Sequence, residues 1–490
     1  MDYHRKKGMR RGNAAFLLAM LVSTPAMQSL AADAATVVPA GVERIYPVKL
    51  ERWSPDPRTA PVCGLHDDAP MVIQGNGTRT CCGGWQCLFV GVRGGQAYRF
   101  QARVNYKGFQ SPRDSLEAIV LWDDWKPDQV EAGSRPWNYL APHFVSDGTM
   151  DFQGILRAPP GATRLTVRYV LRWSEHGSSL WGVPLIEKTE LPKKTPVKVC
   201  VVSACKNTTG LKLQPLSAGL GLPKDAAQSI DLWGSLILEA CARKPQLVVT
   251  PETVIGGKHP IDGSLAVPGP ATKPFERIAR DHQVYLVLGM RERDGDAVYN
   301  SAVLVSPQGK VQGVYRKVHL ATGEGLSGVS AGDRFPVFDT SIGRVGCMIC
   351  MDTTVCESAR LLALGGADFI CFPIMGDLRT SRWSPGPSIF NEDAWKAIMR
   401  TRAIDNQVCM VIARNGAAGS CIIERKGDIL AWNDGKQRVI EATLPADDGY
   451  RVWNGGDFRE GTYLLRRPHL YGAFSDESNV GPLKPASPAR

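Results

Sequence analysis

Long basic runs and long apolar runs are both scarce in this 490-residue sequence once residues 1–31 are set aside. Lys and Arg bring the net charge to +10, but they are spread along the chain and interleave with Asp and Glu. Charge distributed in this way is typical of a solvated surface, so we expect no nucleic-acid partner. After residue 31 no stretch is long and apolar enough to span a bilayer. Internal repeats and clusters of metal ligands are also missing, and we expect no cofactor.

The first 31 residues have the pattern of a secretory signal peptide. Basic residues that include Arg10 and Arg11 precede the apolar run Ala14–Val22, and small residues near Ala31 suit a cleavage site. An uncleaved membrane anchor is the alternative, but the run is short for a span and Pro25 interrupts it. The apolar residue that should closely follow a twin-arginine pair is missing. We therefore predict the general secretory route and a secreted or periplasmic protein.

Thirteen cysteines fit such a compartment only in part. Cys63, Cys81, Cys82 and Cys87 cluster in a Gly-rich region, and an oxidising environment makes them candidates for disulfides. Zinc is the competing interpretation, although a paired Cys-x-x-Cys spacing is missing. We expect the remaining nine, from Cys200 to Cys421, to be mostly core thiols.

Residues 36–190 alternate apolar and polar side chains with a period of two. This holds along 98–105 and again along 165–173, and the turn Pro159-Pro160-Gly161 lies between apolar segments. The alternation predicts strands with one buried face and hence an all-β sandwich. The segments Tyr-Arg-Phe-Gln-Ala-Arg, Leu-Glu-Ala-Ile-Val-Leu-Trp and Trp-Gly-Val-Pro-Leu resemble those of galactose-binding-like jelly-roll modules.

That resemblance implies a possible glycan ligand for the sandwich. Stacking on sugar rings would need exposed aromatic side chains, and burial in the core is the alternative for each of them. The candidates are Trp122, Trp125, Trp137 and Trp181.

The hydrophobic pattern of the sequence changes after the short linker 191–196, which has a proline near each end. From residue 197 onward, apolar strands alternate with amphipathic helices, which predicts an α/β layered domain with a mixed sheet. We assign 197–473 to this second domain and predict that the Pro- and Ser-rich tail 474–490 is disordered.

The stretch around Cys350 is a candidate nucleophile site. An apolar strand stops there, and Thr354 and Glu357 have the spacing of a capping box at the start of a helix that would end at Gly365-Gly366. A thiol at a helix N-terminus would have a lowered pKa. A buried structural cysteine is the alternative.

Two further segments supply groups that would activate a thiol. Glu252 follows the apolar strand 247–250 and Pro251, so its side chain should lie at the carboxyl edge of the sheet, where a partly buried glutamate suits general-base work. Lys317, in Tyr-Arg-Lys-Val-His-Leu, would stabilise an oxyanion. We interpret the neighbouring His319 as structural.

Together, Val-Val-Thr-Pro-Glu-Thr, Tyr-Arg-Lys-Val-His-Leu and Gly-Cys-Met-Ile-Cys-Met-Asp resemble the nitrilase, or carbon-nitrogen hydrolase, superfamily in order and spacing. Ala-Gly-Asp-Arg-Phe-Pro-Val-Phe-Asp-Thr and Ala-Arg-Asn-Gly strengthen this resemblance. It implies an αββα sandwich with a Glu252–Lys317–Cys350 triad. It also implies a supporting glutamate at Glu324 and an oxyanion contact from the backbone N–H of Met351.

The activity implied is hydrolysis of a non-peptide amide or ureido C–N bond through a thioester. A nitrilase acting on C≡N, or a secreted glycan-binding protein with an inactive hydrolase domain, are the alternatives. The resemblance further implies a small-molecule amide substrate and a homo-oligomer, with specificity in the loops 256–270 and 377–390. Asp405 and Cys421 depart from the family pattern, so packing near the site is expected to differ.

Overall fold

A computed structural model describes residues 43–66, 69–124, 137–191, 195–204, 208, 210–376, 390–446 and 463–476. The predicted signal peptide and Trp125 lie outside these ranges. The described residues form two compact units, one of residues 43–191 with 467–476 and one of residues 195–446 with 463–466. The division at Leu191 falls in the linker predicted from the sequence. Residues 467–476 lie in the first unit, although the sequence pattern assigns residues up to 473 to the second domain.

The first unit is built almost entirely from strands, as its alternating sequence predicts. The described strands are β1 Arg44–Ile45, β2 Pro47–Trp53, β3 Val62–His66, β4 Ala69–Gln74, β5 Cys82–Val90, β6 Ala97–Lys107, β7 Leu116–Asp123, β8 Trp137–Tyr139, β9 Ala141–Ser146, β10 Thr149–Arg157, β11 Arg164–Arg172, β12 Ser178–Trp181 and β13 Leu185–Thr189, with the short helix α1 at Pro112–Ser115. One sheet has the order β1-β13-β6-β12-β4-β3 with β10 and β9 attached, and the other has the order β2-β5-β11-β7-β8.

The two sheets share one apolar core. Phe100 of β6 meets Trp122 of β7 edge to face at 6.0 Å, and Tyr169 of β11 stacks on Trp181 of β12 at 4.2 Å. Each pair joins one sheet to the other, so the unit is a β-sandwich. Trp122 and Trp181 are therefore core residues, and neither is available to stack on a sugar ring.

The four cysteines of this unit are free thiols in the structure, so the predicted disulfides are absent from it. Cys87 points into the core from β5, where its sulfur lies 3.7 Å from that of Met71. Burial raises the pKa of the Cys63 thiol to about 11. These side chains pack as small apolar residues, which is the common role of an unpaired cysteine.

The second unit alternates strands and helices. Its described strands are β14 Val197–Val202, β15 Leu247–Val249, β16 Leu265–Ala266, β17 Tyr285–Asp294, β18 Ala297–Ser306, β19 Lys310–Arg316, β20 Val337–Thr340, β21 Gly343–Cys347, β22 Phe369–Ile374, β23 Cys409–Arg414, β24 Cys421–Ile423, β25 Ile429–Trp432 and β26 Val439–Leu444. Its described helices are α2 Lys224–Cys241, α3 Lys273–Asp281, α4 Thr322–Gly325, α5 Cys356–Leu364 and α6 Glu392–Asn406. No helix in the described ranges combines the length and apolar character needed to cross a membrane.

Two mixed sheets form the centre of this unit. One has the order β19-β18-β17-β15-β14-β26 with β16 beside β17, and the other has the order β20-β21-β22-β23-β24-β25. Residues of both sheets, such as Val249 and Val411, form the core between them. Trp233 of α2 packs on the outer face of the first sheet, and Trp395 of α6 packs on the outer face of the second. The layers therefore run α, β, β, α, as expected.

Candidate active site

Four of the predicted side chains meet where strands of the two central sheets end. Glu252 lies just beyond β15, Lys317 follows β19 directly and Cys350 lies just beyond β21. Glu324 comes from the short helix α4. Because the chain leaves the sheet at each of these points, the side chains are free to turn toward one another.

Lys317 is the centre of the cluster. Its ammonium donates to Glu252 Oε1 at 2.8 Å and to Glu324 Oε2 at 2.6 Å, and its side chain is only 1% exposed. Burial alone would lower the pKa of Lys317, but the two carboxylates raise it above its usual value. Glu324 shows the converse balance, since burial opposes its charge while Lys317 and other donors lower its pKa. The lysine is therefore a fixed positive charge.

Asn300 of β18 ties the two glutamates together. Its amide nitrogen donates to Glu252 Oε1 at 2.8 Å and to Glu324 Oε1 at 2.6 Å. The backbone N–H of Met375 completes the set by donating to Glu252 Oε2 at 2.8 Å. Each carboxylate is thus held by several donors, which fixes its orientation before any substrate enters.

The Cys350 thiol and the Glu252 carboxylate both contact the segment Met375–Gly376. The Cys350 sulfur is 3.5 Å from the carbonyl oxygen of Gly376, the residue after Met375. Cys350 opens a short 3-10 turn that ends at Thr354, and its φ of 44° is rare outside glycine. Such strain often accompanies functional positions.

The sequence predicts a lowered pKa for the Cys350 thiol, whereas its surroundings in the structure raise that pKa. Burial first, and then the neighbouring Glu252 carboxylate, raise the pKa of Cys350 to about 12, although Lys317 acts in the opposite direction. The predicted capping box is also wrong: α5 begins at Cys356, and its N-cap Val355 has no side-chain cap. A helix N-terminus therefore does not activate this cysteine, and the resting group is a thiol.

A buried carboxylate holds the turn that carries Cys350. Asp352 Oδ2 accepts from the Tyr315 hydroxyl at 2.5 Å and from the Ile349 N–H at 2.8 Å. Its Oδ1 lies 2.8 Å from His319 Nδ1 and accepts from the His319 N–H at 2.9 Å. His319 thus supports the turn through Asp352, which agrees with its interpretation as structural.

The remaining sequence-based expectations have mixed outcomes. Met351 follows Cys350 within the 3-10 turn, and the Gly365-Gly366 end of α5 is confirmed. Asp405 is exposed on α6, whereas Cys421 is buried beneath that helix. Most of the cysteines expected in the core are buried, but Cys356 is exposed and Cys205 lies outside the described residues.

Asn300 and Asp352 are site residues that sequence reasoning missed. A signal for Asn300 was present, because the strand contains no other amide and no charged residue. A buried amide needs partners, and its position therefore indicates a polar cluster. Asp352 was visible only as part of a motif, since its partners come from distant segments.

Comparisons with known proteins identify the family of this chain. The family model described as carbon-nitrogen hydrolase matches residues 214–452. An omega-amidase of Homo sapiens is 30% identical over 43% of this chain and 80% of its own length. A citrullinase of Francisella tularensis is 28% identical over 51% of this chain and 94% of its own length. A probable nitrilase of Schizosaccharomyces pombe is 29% identical over 46% of this chain and 85% of its own length. The chain belongs to the carbon-nitrogen hydrolase family of the nitrilase superfamily.

Proposed function

We propose that this protein is an exported amidase that cleaves a non-peptide amide or ureido C–N bond through a cysteine thioester. The observation that carries the proposal is the buried Lys317 ammonium, held between Glu252 and Glu324 beside the Cys350 thiol. A nucleophile, a base and a fixed cation that can stabilise an oxyanion are together sufficient for acyl transfer.

Acylation begins with transfer of the thiol proton to Glu252 as the sulfur of Cys350 attacks the carbonyl carbon. The resulting oxyanion is stabilised by the Lys317 ammonium and the Met351 N–H. Glu252 then donates its proton to the leaving nitrogen, the C–N bond breaks, and ammonia or an amine departs. The acyl group remains on sulfur as a thioester.

Deacylation uses the same groups in reverse. Glu252 accepts a proton from a water molecule whose oxygen attacks the thioester carbonyl, and the oxyanion again faces Lys317. The C–S bond breaks, the carboxylic acid leaves, and the sulfur recovers the proton from Glu252. Asn300 and Glu324 hold Glu252 and Lys317 in place throughout.

The high pKa of Cys350 favours this base-assisted mechanism over a preformed thiolate. At neutral pH a thiol with a pKa of about 12 is almost entirely protonated, so attack has to be coupled to proton removal. Glu252 is the carboxylate whose charge acts most strongly on that thiol. It is therefore our choice for the base.

The test is ammonia release from a panel of amides and ureido compounds by the wild type and by Cys350→Ala. We expect the variant to lose at least about a thousandfold in turnover with its circular dichroism unchanged. Cys356→Ala, which removes an exposed thiol nearby, is the matched control and should keep wild-type activity. Mass spectrometry of rapidly quenched enzyme should detect the acyl adduct on Cys350. Wild-type ammonia release by Cys350→Ala would refute the assignment.

Nitrile hydrolysis is a second candidate, favoured by the similarity to a probable nitrilase. The same three groups could act on a C≡N carbon, and turnover of a nitrile in preference to its amide would support it.

Export depends on the N-terminal pattern, so N-terminal sequencing of exported protein should find cleavage near Ala31. Glycan binding by the sandwich and homo-oligomer formation stay predictions from family resemblance.

A further inference from the structure

Arg291 stands beside the glutamate–lysine cluster without being part of it. It lies on β17 directly opposite Asn300 of β18, and paired residues of neighbouring strands project from the same face of a sheet. Asn300 in turn contacts Glu252 and Glu324. The Arg291 side chain therefore leaves the sheet next to the amide that links the two carboxylates.

The other side of Arg291 faces the loop predicted to carry specificity. Its backbone N–H donates to the Ile255 carbonyl at 3.0 Å. A Cβ added to Gly256 would lie 3.1 Å from Arg291 Cβ, so a larger residue at that position would press on the arginine. Arg291 thus lies between Asn300 on one side and the start of the loop at Gly256 on the other.

No residue in the described part of the chain forms an ion pair with this guanidinium. Its Nε is buried without a hydrogen-bond partner. The next residue, Glu292, is already paired with Arg316 through contacts of 2.6 and 3.0 Å. Burial lowers the pKa of Arg291, while the charges of Glu324 and Glu252 act in the opposite direction without forming an ion pair with it.

A partly buried cation of this kind has unused binding capacity. Desolvating a charge is costly unless a counter-ion replaces the lost water. The planar guanidinium offers parallel N–H donors that match a carboxylate. Glu252 and Glu324 are held by Lys317 and Asn300, so a carboxylate that pairs with this guanidinium would come from outside the cluster.

We propose that Arg291 binds a carboxylate of the substrate, so that the enzyme selects amides that carry a negative charge away from the scissile C–N bond. This inference rests on the proposed amidase function and names the substrate class. The rival role for Arg291 is charge balance, in which it offsets the two glutamates and serves every amide equally. If Arg291 binds the substrate carboxylate, removing the guanidinium should weaken only the binding of anionic amides. If it serves charge balance, every amide should be affected equally.

The kinetic test compares succinamate, which carries a carboxylate, with succinamide, in which an amide replaces it. For Arg291→Gln we expect KM for succinamate to rise roughly tenfold to a hundredfold, the range for losing one charge-assisted contact, with little change for succinamide. Arg291→Lys keeps the charge without the planar fork and should fall in between. Arg277→Gln removes an exposed arginine of α3 and is the control for net charge. Equal losses on both substrates, or no loss, would overturn the proposal.

A binding measurement separates this proposal from the reaction itself. Calorimetry with Cys350→Ala should find that succinamate binds more tightly than succinamide, and that added Arg291→Gln removes the difference. If this preference is present but the wild type releases ammonia from no compound of the amide and ureido panel, the amidase assignment fails and the role of Arg291 stands. If both compounds are hydrolysed and Arg291→Gln changes neither KM nor binding, the amidase assignment stands and the role of Arg291 is wrong. Arg291→Lys serves in both assays if Arg291→Gln does not fold.

Discussion

Replacing Asp352 by Asn is expected to damage both the stability and the activity of the second unit. The aspartate has four donors around it: the Tyr315 hydroxyl, the Ile349 N–H, and the N–H and Nδ1 of His319. An asparagine has one acceptor oxygen and one donor nitrogen. Each oxygen of Asp352 accepts from one backbone N–H, Ile349 on one side and His319 on the other. In either orientation the asparagine nitrogen therefore faces a backbone N–H, and two donors cannot form a hydrogen bond.

The magnitude follows from those contacts. Leaving one buried N–H without an acceptor costs about 1–3 kcal/mol. The hydroxyl and the imidazole can adjust, but bonds to a neutral acceptor have roughly half the strength of those to a carboxylate. Asp352 is fully buried, so water does not compensate. We expect a loss of roughly 3–5 kcal/mol in the free energy of unfolding, which is a large part of a typical total of about 5–15 kcal/mol.

The activity should fall because the same contacts define the position of the nucleophile. The Ile349 N–H bond to Asp352 closes the turn in which Cys350 adopts its positive φ. A misplacement of about 1 Å in a reacting group costs on the order of a hundredfold in rate. We therefore expect Asp352→Asn to lower kcat by about that factor with a smaller effect on KM.

Urea unfolding followed by circular dichroism at 222 nm is the assay for stability. The long described helices all lie in the second unit, so the helical signal reports on it. Asp339→Asn on β20 is the matched control, because that carboxylate is 87% exposed and should change stability by less than about 0.5 kcal/mol. If Asp352→Asn unfolds like the control and keeps wild-type kcat, the role assigned to this network is wrong.

Two further predictions concern the same cluster. Alkylation of Cys350 by iodoacetamide should be slower at pH 7 than that of a free cysteine and should rise about tenfold per pH unit up to the pKa of about 12, whereas a plateau near neutral pH would contradict the raised pKa. Asn300→Leu removes a donor that lowers the pKa of Glu324, so the acid limb of the pH–rate profile should move to higher pH, with kcat reduced by roughly ten- to a hundredfold. An unchanged profile would mean that Asn300 only fills space.

The three residues of the predicted triad share one property: each lies within three positions of the end of a strand. Glu252, Lys317 and Cys350 could be found because a strand end is a local feature, readable from apolar residues and Pro251. Helix starts were less visible. Helix α2 begins at Lys224 after Pro223, which provides no side-chain cap to mark its start.

What escaped prediction depends on contacts between distant segments. Asn300 meets Glu252 only through the pairing of β17 with β18, and Asp352 meets His319 only when two sheets pack. The protonation of Cys350 is another example. Local sequence indicated a helix dipole, but burial and a carboxylate nearly a hundred positions away decide its pKa.

In the proposed reaction, Lys317 and Arg291 stabilise two different anions. Lys317 stabilises the oxyanion that forms in the transition state, and Arg291 stabilises the substrate carboxylate that is present from binding onward. Lys317 is held by Glu252 and Glu324, close to the sulfur, where negative charge develops during acylation and deacylation. Arg291 stands on the far side of Asn300, where a carboxylate of the substrate would rest throughout the cycle. An interaction formed only in the transition state acts on kcat, whereas one present from binding onward acts on KM. Loss of the Lys317 ammonium should therefore abolish turnover of every amide, while loss of the Arg291 guanidinium should weaken only the binding of anionic ones.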